Sequence, residues 1–226
     1  MTAAGLRRRR AELGRRVGIL GGTFDPVHNG HLAMARAVKE SLALDALLFI
    51  PAANPPHKSR ERISPFADRA RMVELAVASR PGLFVSSLEG ERPGPSYSVD
   101  TLGELHRQLD PVQLFFLVGF DALADLGSWK EYQRLLDLAD LVVLDRPPFR
   151  REFLEQAVKR LFPDYRYDPG LKAWAGDQPG RIHPCDVEPV PVSATQVREK
   201  ARAGEPVGDL VPAPVAAYLR GRRLYR

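Results

Sequence analysis

Two histidines three residues apart, His28 and His31, stand behind a pair of glycines, Gly21 and Gly22, with Gly30 between them. If both fall on the first turn of a helix, they share a face. Imidazoles placed there can donate hydrogen bonds to phosphate oxygens, and the helix start adds free N–H groups and a positive dipole end. Glycine ahead of the turn lets the backbone approach a ligand closely. The spacing is not G-x-G-x-x-G, and it lacks the Gly-Lys-Ser/Thr of a Walker loop, so neither a dinucleotide dehydrogenase nor a P-loop ATPase is supported. For either histidine alone, capping or core packing is the plainer reading. His183 and Cys185 complete four metal ligands on paper, but zinc pairs on a helix more often use wider spacing. A second cluster comes late in the chain. Ser193 can cap a helix, Thr195 adds a hydroxyl, and Arg198 one turn on can fork onto phosphate oxygens.

The elements that must position these groups alternate in type. Short apolar runs at Val17–Leu20, Ala46–Ile50, Leu83–Val85, Gln113–Val118 and Leu141–Leu144 predict strands. Helical spacing predicts helices over Gly30–Ala43, Pro65–Ser79, Ser98–Leu109, Lys130–Leu136 and Glu152–Leu161. Ser64 is the expected cap of the second helix, with Pro65 at its first helical position. Residues 162–180 predict a long loop, rich in proline and glycine, before a final strand near Arg181–Val187. A helix beginning at Ser193 and a short one around Val215–Leu219 close the chain. Strand and helix in alternation mean a parallel sheet covered on both faces. The strands are continuously apolar, as burial on both sides requires. The expected architecture is α/β, a Rossmann-like doubly wound sheet in a single domain over residues 17–226 with a C-terminal helical segment. Its ligand site belongs outside the carboxyl ends of the strands.

The chain has 226 residues, 44% of them hydrophobic and 27% charged, which is ordinary for a globular protein. No apolar run approaches the roughly 18 residues that cross a bilayer. Cys185 has no second cysteine to pair with, and a reducing cytoplasm is the expected compartment. Lysine and arginine outnumber the acids by five, and the six arginines and one glutamate of residues 1–16 supply that whole excess. Arg220, Arg222, Arg223 and Arg226 follow at the far end, so the body between is net acidic. Nucleic acid is therefore not required by the charge balance. Residues 1–16 read as an arginine-rich, mobile tail.

The stretch Gly21-Gly22-Thr23-Phe24-Asp25-Pro26-Val27-His28-Asn29-Gly30-His31 resembles the H-x-G-H signature of the nucleotidyltransferase superfamily. More narrowly it resembles the bacterial nicotinate-nucleotide adenylyltransferases, whose motif is G-G-T-F-D-P-x-H-x-G-H. Further segments carry the same resemblance: Pro55-Pro56-His57-Lys58, Ser96-Tyr97-Ser98-Val99-Asp100-Thr101, Gly119-Phe120-Asp121 with Trp129 beyond it, Asp145-Arg146-Pro147, and Ser193-Ala194-Thr195-Gln196-Val197-Arg198. It spans about residues 17–219. Four positions depart from the family pattern: Ser98 for threonine, Phe120 for alanine, Pro148 for glycine and Ala194 for serine.

The resemblance implies adenylyl transfer from ATP to nicotinate mononucleotide, giving deamido-NAD and pyrophosphate in NAD biosynthesis. It implies that His28 and His31 are catalytic. It implies ATP contacts at Gly21, Gly22, Thr23, Phe24, Gly119, Asp121, Ser193, Thr195 and Arg198, and nicotinate-nucleotide contacts at Lys58, Ser98, Thr101 and Trp129. The expected cofactor is Mg²⁺, bound with ATP, and no protein metal site is expected. The partners are the two nucleotides, with no membrane and an open possibility of a homo-oligomer. Nicotinamide mononucleotide and phosphopantetheine are the rival acceptors, and a non-catalytic nucleotide- or RNA-binding module is the rival of another class.

Overall fold

The apolar runs become strands of one sheet in the computed structural model, which describes residues 1–56, 63–145, 151–188 and 190–226. They are β1 (Arg16–Gly22), β2 (Ala46–Pro51), β3 (Leu83–Val85), β4 (Gln113–Gly119), β5 (Asp140–Asp145), β6 (Arg166–Asp168), β7 (Ala173–Ala175) and β8 (Ile182–Asp186). The sheet order is β3-β2-β1-β4-β5-β8-β7-β6. Pairing is parallel from β3 through β8, and β7 and β6 are added antiparallel. Ile19 in the middle of β1 registers with Leu48 on β2 and Phe116 on β4. The chain first winds from β1 outward to β3, then crosses back to β4. The winding reverses between β1 and β4, which leaves a crevice above their carboxyl ends.

Alternation along each strand sorts side chains onto two cores. On one face Val17, Ile19, Phe116 and Val143 pack with α5 (Ser98–Leu109) and α8 (Arg151–Leu161). On the other, Leu20, Phe49, Phe115 and Leu144 pack with α3 (Asn29–Ser41) and α4 (Phe66–Val77). Val197 of α9 (Ala194–Arg202) and Val215 and Leu219 of α10 (Ala213–Arg222) complete the second core. Both faces are buried, so the architecture is the doubly wound α/β sheet the sequence predicts.

Several details differ from the sequence reading. Residues 1–16 form α1 (Ala3–Arg8) and α2 (Arg10–Leu13), with Leu6 and Leu13 fully buried in the first core. The expected mobile tail is thus a folded element, because its two leucines are spaced to face inward while Arg7, Arg8, Arg9 and Arg10 face solvent. Gly14, at φ +76°, turns the chain into β1, and Asp45 Oδ2 accepts from the N–H groups of Arg15 and Arg16 at 2.7 and 2.9 Å. These two backbone hydrogen bonds hold the Asp45 carboxyl below its usual range. Helix α4 starts after Pro65 rather than after a Ser64 cap. The helix expected over Lys130–Leu136 is a 3₁₀ turn at Tyr132–Arg134 followed by the short α7 (Leu135–Leu138). The expected loop 162–180 contains the β6–β7 hairpin. Trp174 and Tyr165 are buried there, and the Tyr165 hydroxyl donates to the Gly180 carbonyl at 2.8 Å, so two aromatics anchor a segment that glycine and proline make look structureless. A short α6 (Phe120–Ala124) after β4 also went unpredicted.

Candidate active site

The β1–α3 connection builds one wall of the crevice. His28 is the N-cap of α3, in extended conformation and buried, and His31 stands three residues into the helix. Their rings stack with centroids 3.6 Å apart and planes 24° apart. The His28 N–H donates to His31 Nδ1 at 3.2 Å, so the helix cap is formed by a catalytic candidate. Gly30 suits this close arrangement. A Cβ there would stand 3.0 Å from Val192 and 3.1 Å from the His28 ring. Phe24 packs edge-on against His31 at 5.1 Å and meets the Phe49 ring at a tilt at 5.6 Å. It is buried at φ +49°, a left-handed conformation that a bulky residue holds only where its surroundings impose it.

The second wall is the start of α9. Ser193 caps it reciprocally: Ser193 Oγ accepts from the Gln196 N–H at 3.2 Å, and the Ser193 N–H donates to Gln196 Oε1 at 2.8 Å. A cleft of about 180 Å³ joins the two walls, lined by His28, Gly30 and His31 from one side and Val192, Ser193 and Ala194 from the other. Arg198 locks them together. It donates to the Asp25 carbonyl at 2.7 Å and to Thr195 Oγ1 at 3.0 Å. Two of its donors thus serve the protein itself, a role the sequence reading did not include.

The remaining candidates are distributed around the same carboxyl ends. Gly21, Gly22 and Thr23 close β1. Gly119 caps α6, and the place of its missing side chain is open space, so a ligand's approach meets no neighbour there. Asp121 is exposed in the first turn of α6, while Phe120 turns its bulk toward the first core. Ser98 opens α5, but the cap of that helix is Tyr97, not Ser96 or Ser98. Ser96 is instead tied to the loop after β2, where its hydroxyl accepts from the Asn54 N–H at 3.0 Å. Trp129 is half-buried and meets Phe116 edge-on at 6.4 Å. Lys130 beside it pairs with Asp100 at 2.9 Å, which fastens the tryptophan loop to the start of α5.

Thr101 is placed differently from the expectation. It is buried, its hydroxyl donates to Glu89 Oε1 at 2.8 Å, and it accepts from Arg92 at 3.0 Å. The other Glu89 oxygen accepts from the Ala53 N–H at 3.3 Å. Thr101 therefore supports the β2 loop from beneath rather than presenting a hydroxyl to a ligand. Lys58 and the Arg146-Pro147-Pro148 stretch lie outside the described residues. His183 Nε2 sits 3.0 Å from Asp140 Oδ2 at the opposite end of the sheet, and Cys185 is buried in the second core with burial pushing its thiol pKa up. Neither is brought to His28 and His31.

Sequence reasoning missed Arg69. Its guanidinium is buried and donates to the carbonyls of Thr23 at 2.6 Å, Ala52 at 2.8 Å and Ser64 at 2.9 Å. One side chain thereby joins the ends of β1, β2 and the entry to α4. Desolvation lowers its pKa from the usual guanidinium value. The signal was available: Arg69 lies on the same helical face as Met72, Val73 and Ala76, where a charge demands buried acceptors.

The description cytidylyltransferase-like fits a family model matching residues 19–200. A protein of Geobacter metallireducens named probable nicotinate-nucleotide adenylyltransferase is 41% identical over 211 residues, covering 93% of this chain and 98% of that relative. One of the same name from Chromobacterium violaceum is 42% identical over 212 residues, covering 93% and 99%. Among solved structures, the Plasmodium falciparum nicotinic acid mononucleotide adenylyltransferase complexed with NaAD superposes with a TM-score of 0.70 at 16% identity, over 93% of this chain and 97% of that one, which shows a common fold. With a family match over most of its length and relatives near 40% identity over almost all of theirs, the chain belongs to the cytidylyltransferase-like family, in the branch that holds the nicotinate-nucleotide adenylyltransferases.

Proposed function

We propose that the protein transfers the adenylyl group of ATP to nicotinate mononucleotide, forming deamido-NAD and pyrophosphate. The observation that carries this reading is the cleft that puts the stacked His28 and His31 opposite the N-terminus of α9. An acceptor phosphate oxygen attacks the α-phosphorus, that P–O bond forms, and the bond from the α-phosphorus to the bridging oxygen breaks. No general base is needed, because a phosphate monoester with second pKa about 6 is already largely dianionic at neutral pH. The task left to the protein is to align two anions and to neutralise developing charge.

Imidazole N–H donors at His28 and His31 serve the α-phosphate. The cap uses the N–H groups of Ser193 and Gln196, so those of Ala194 and Thr195 meet the leaving pyrophosphate, with Arg198 beside them. Gly119 admits the adenosine against backbone, and Asp121 accepts from its ribose hydroxyls. Ser98 and the Trp129 face frame the pyridine ring. The donors of the cleft are imidazole, hydroxyl and N–H groups, which suit anions, and the Glu188 carboxylate lines its edge beside them. Mg²⁺ bound with ATP would supply charge neutralisation on the triphosphate.

The test is pyrophosphate release by purified protein with ATP, Mg²⁺ and either nicotinate or nicotinamide mononucleotide. Release with the nicotinate form alone is expected. Equal release with both forms would keep the chemistry and remove the acceptor preference, and none with either would overturn the reading.

A further inference from the structure

The motif loop is gripped from a part of the chain that the sequence motifs do not reach. Asp25 precedes His28 by three residues and is buried. Its Oδ1 accepts from the Tyr225 hydroxyl at 2.6 Å, across 200 residues of sequence. Its Oδ2 accepts from the Ser64 N–H at 3.2 Å, and its carbonyl accepts from Arg198 at 2.7 Å. The segment leading to Tyr225 is itself fastened nearby. The Leu210 and Asp209 carbonyls accept from the Asn29 N–H at 2.9 Å and Asn29 Nδ2 at 3.0 Å, inside the H-x-G-H motif. Helix α10 is tied to α4 where the Tyr218 hydroxyl donates to Asp68 at 2.7 Å.

After α10 the chain reverses through Arg223 at φ +53° and Tyr225 at φ +68°, both left-handed conformations that neither residue type favours. The reversal is what returns the phenol to Asp25. Burial, and then the adjacent Asp25 carboxylate, push the Tyr225 phenol well above its ordinary pKa, so it remains a donor throughout the neutral range.

Resting on the adenylyl-transfer reading, we propose that Tyr225 is a positioning residue: through Asp25 it fixes the turn that sets His28 and His31 against the α-phosphate. It touches no reacting atom. Its effect is on the geometry of the histidines, so it belongs to turnover rather than to substrate binding.

Tyr225→Phe removes the donor and keeps the ring. The expected result is a kcat lowered about tenfold or more, with KM for both substrates within about twofold. Tyr218→Phe is the control for a merely structural bond of the same kind on the same segment, and it should lower the melting temperature without lowering kcat. In an Asp25→Asn background, Tyr225→Phe should cost little more, since the two act as a unit. Wild-type kcat in Tyr225→Phe, or an equal further loss in the Asp25→Asn background, would overturn the proposal. Hydrogen exchange across residues 23–31 reads the same link without turnover: faster exchange in Tyr225→Phe than in Tyr218→Phe is expected, and unchanged exchange would overturn it. An inactive wild type with that exchange difference intact would sink the adenylyl-transfer reading alone.

Discussion

At the residue scale the site depends on close fit as well as on its donors. Gly30 shows the fit best, since Val192 and the His28 ring crowd the space of its absent side chain. Gly30→Ala should push the two walls apart by a few tenths of an ångström and lower kcat on the order of tenfold, with the fold retained. His31→Ala should lower it more, on the order of 10² to 10³, as removal of a transition-state donor does. Steady-state pyrophosphate release with a melting curve for each variant checks both, and a Gly30→Ala enzyme with native kcat would show that the wall separation does not matter. His28, Gly30 and His31 were legible as a unit because their spacing marks a helix start, although His28 is the extended N-cap rather than a residue of the first turn. Arg69 was legible only as an anomaly, a charge on an apolar face. Tyr225 gave no sign at all, because its partner lies 200 residues away and nothing local selects it.

At the element scale, loops at the carboxyl ends of β1, β2 and β4 are held by side chains beneath them. The chain Thr101–Glu89–Ala53 supports the loop after β2. Thr101→Val removes the hydroxyl with little change of shape and leaves buried Glu89 short of a donor. The expected cost is about 1–3 kcal/mol of stability. If the β2 loop frames the acceptor, KM for the mononucleotide should rise several-fold while KM for ATP stays level. Denaturant unfolding and the two KM values measure this, and an unchanged acceptor KM would return Thr101 to a purely structural role. Long amphipathic elements such as α5 and α3 were predictable from period alone. The β6–β7 hairpin was not, because its strands are three residues each and its order comes from buried Trp174 and Tyr165 rather than from pattern.

At the scale of the whole molecule, the arginine-rich start is a folded part of the first core. Leu13 is fully buried beside β1, and Met1 to Leu6 reaches α5 and the end of β3, where the Met1 carbonyl accepts from Ser87 N–H at 2.9 Å and Ser86 Oγ at 3.0 Å. Leu13→Ala should therefore cost about 2–4 kcal/mol, as buried leucine truncations do. A melting temperature equal to the wild type would restore the mobile tail. The arginines between, including Arg7, Arg8 and Arg10, face solvent and do not oppose this packing.

The amino-acid sequence by itself determined the alternation of strand and helix, the parallel sheet and the two motifs proposed to bind phosphate. Each of these is written locally: a continuous apolar run, period 3.6, a cap or a paired glycine. The tertiary structure decided what joins them. Hydrogen bonds from Arg69, Arg198 and Tyr225 hold the turn before His28, and they connect groups 46, 173 and 200 residues apart. Such bonds form only after packing has brought their partners together and excluded the water that would compete for them. Local spacing does not encode them.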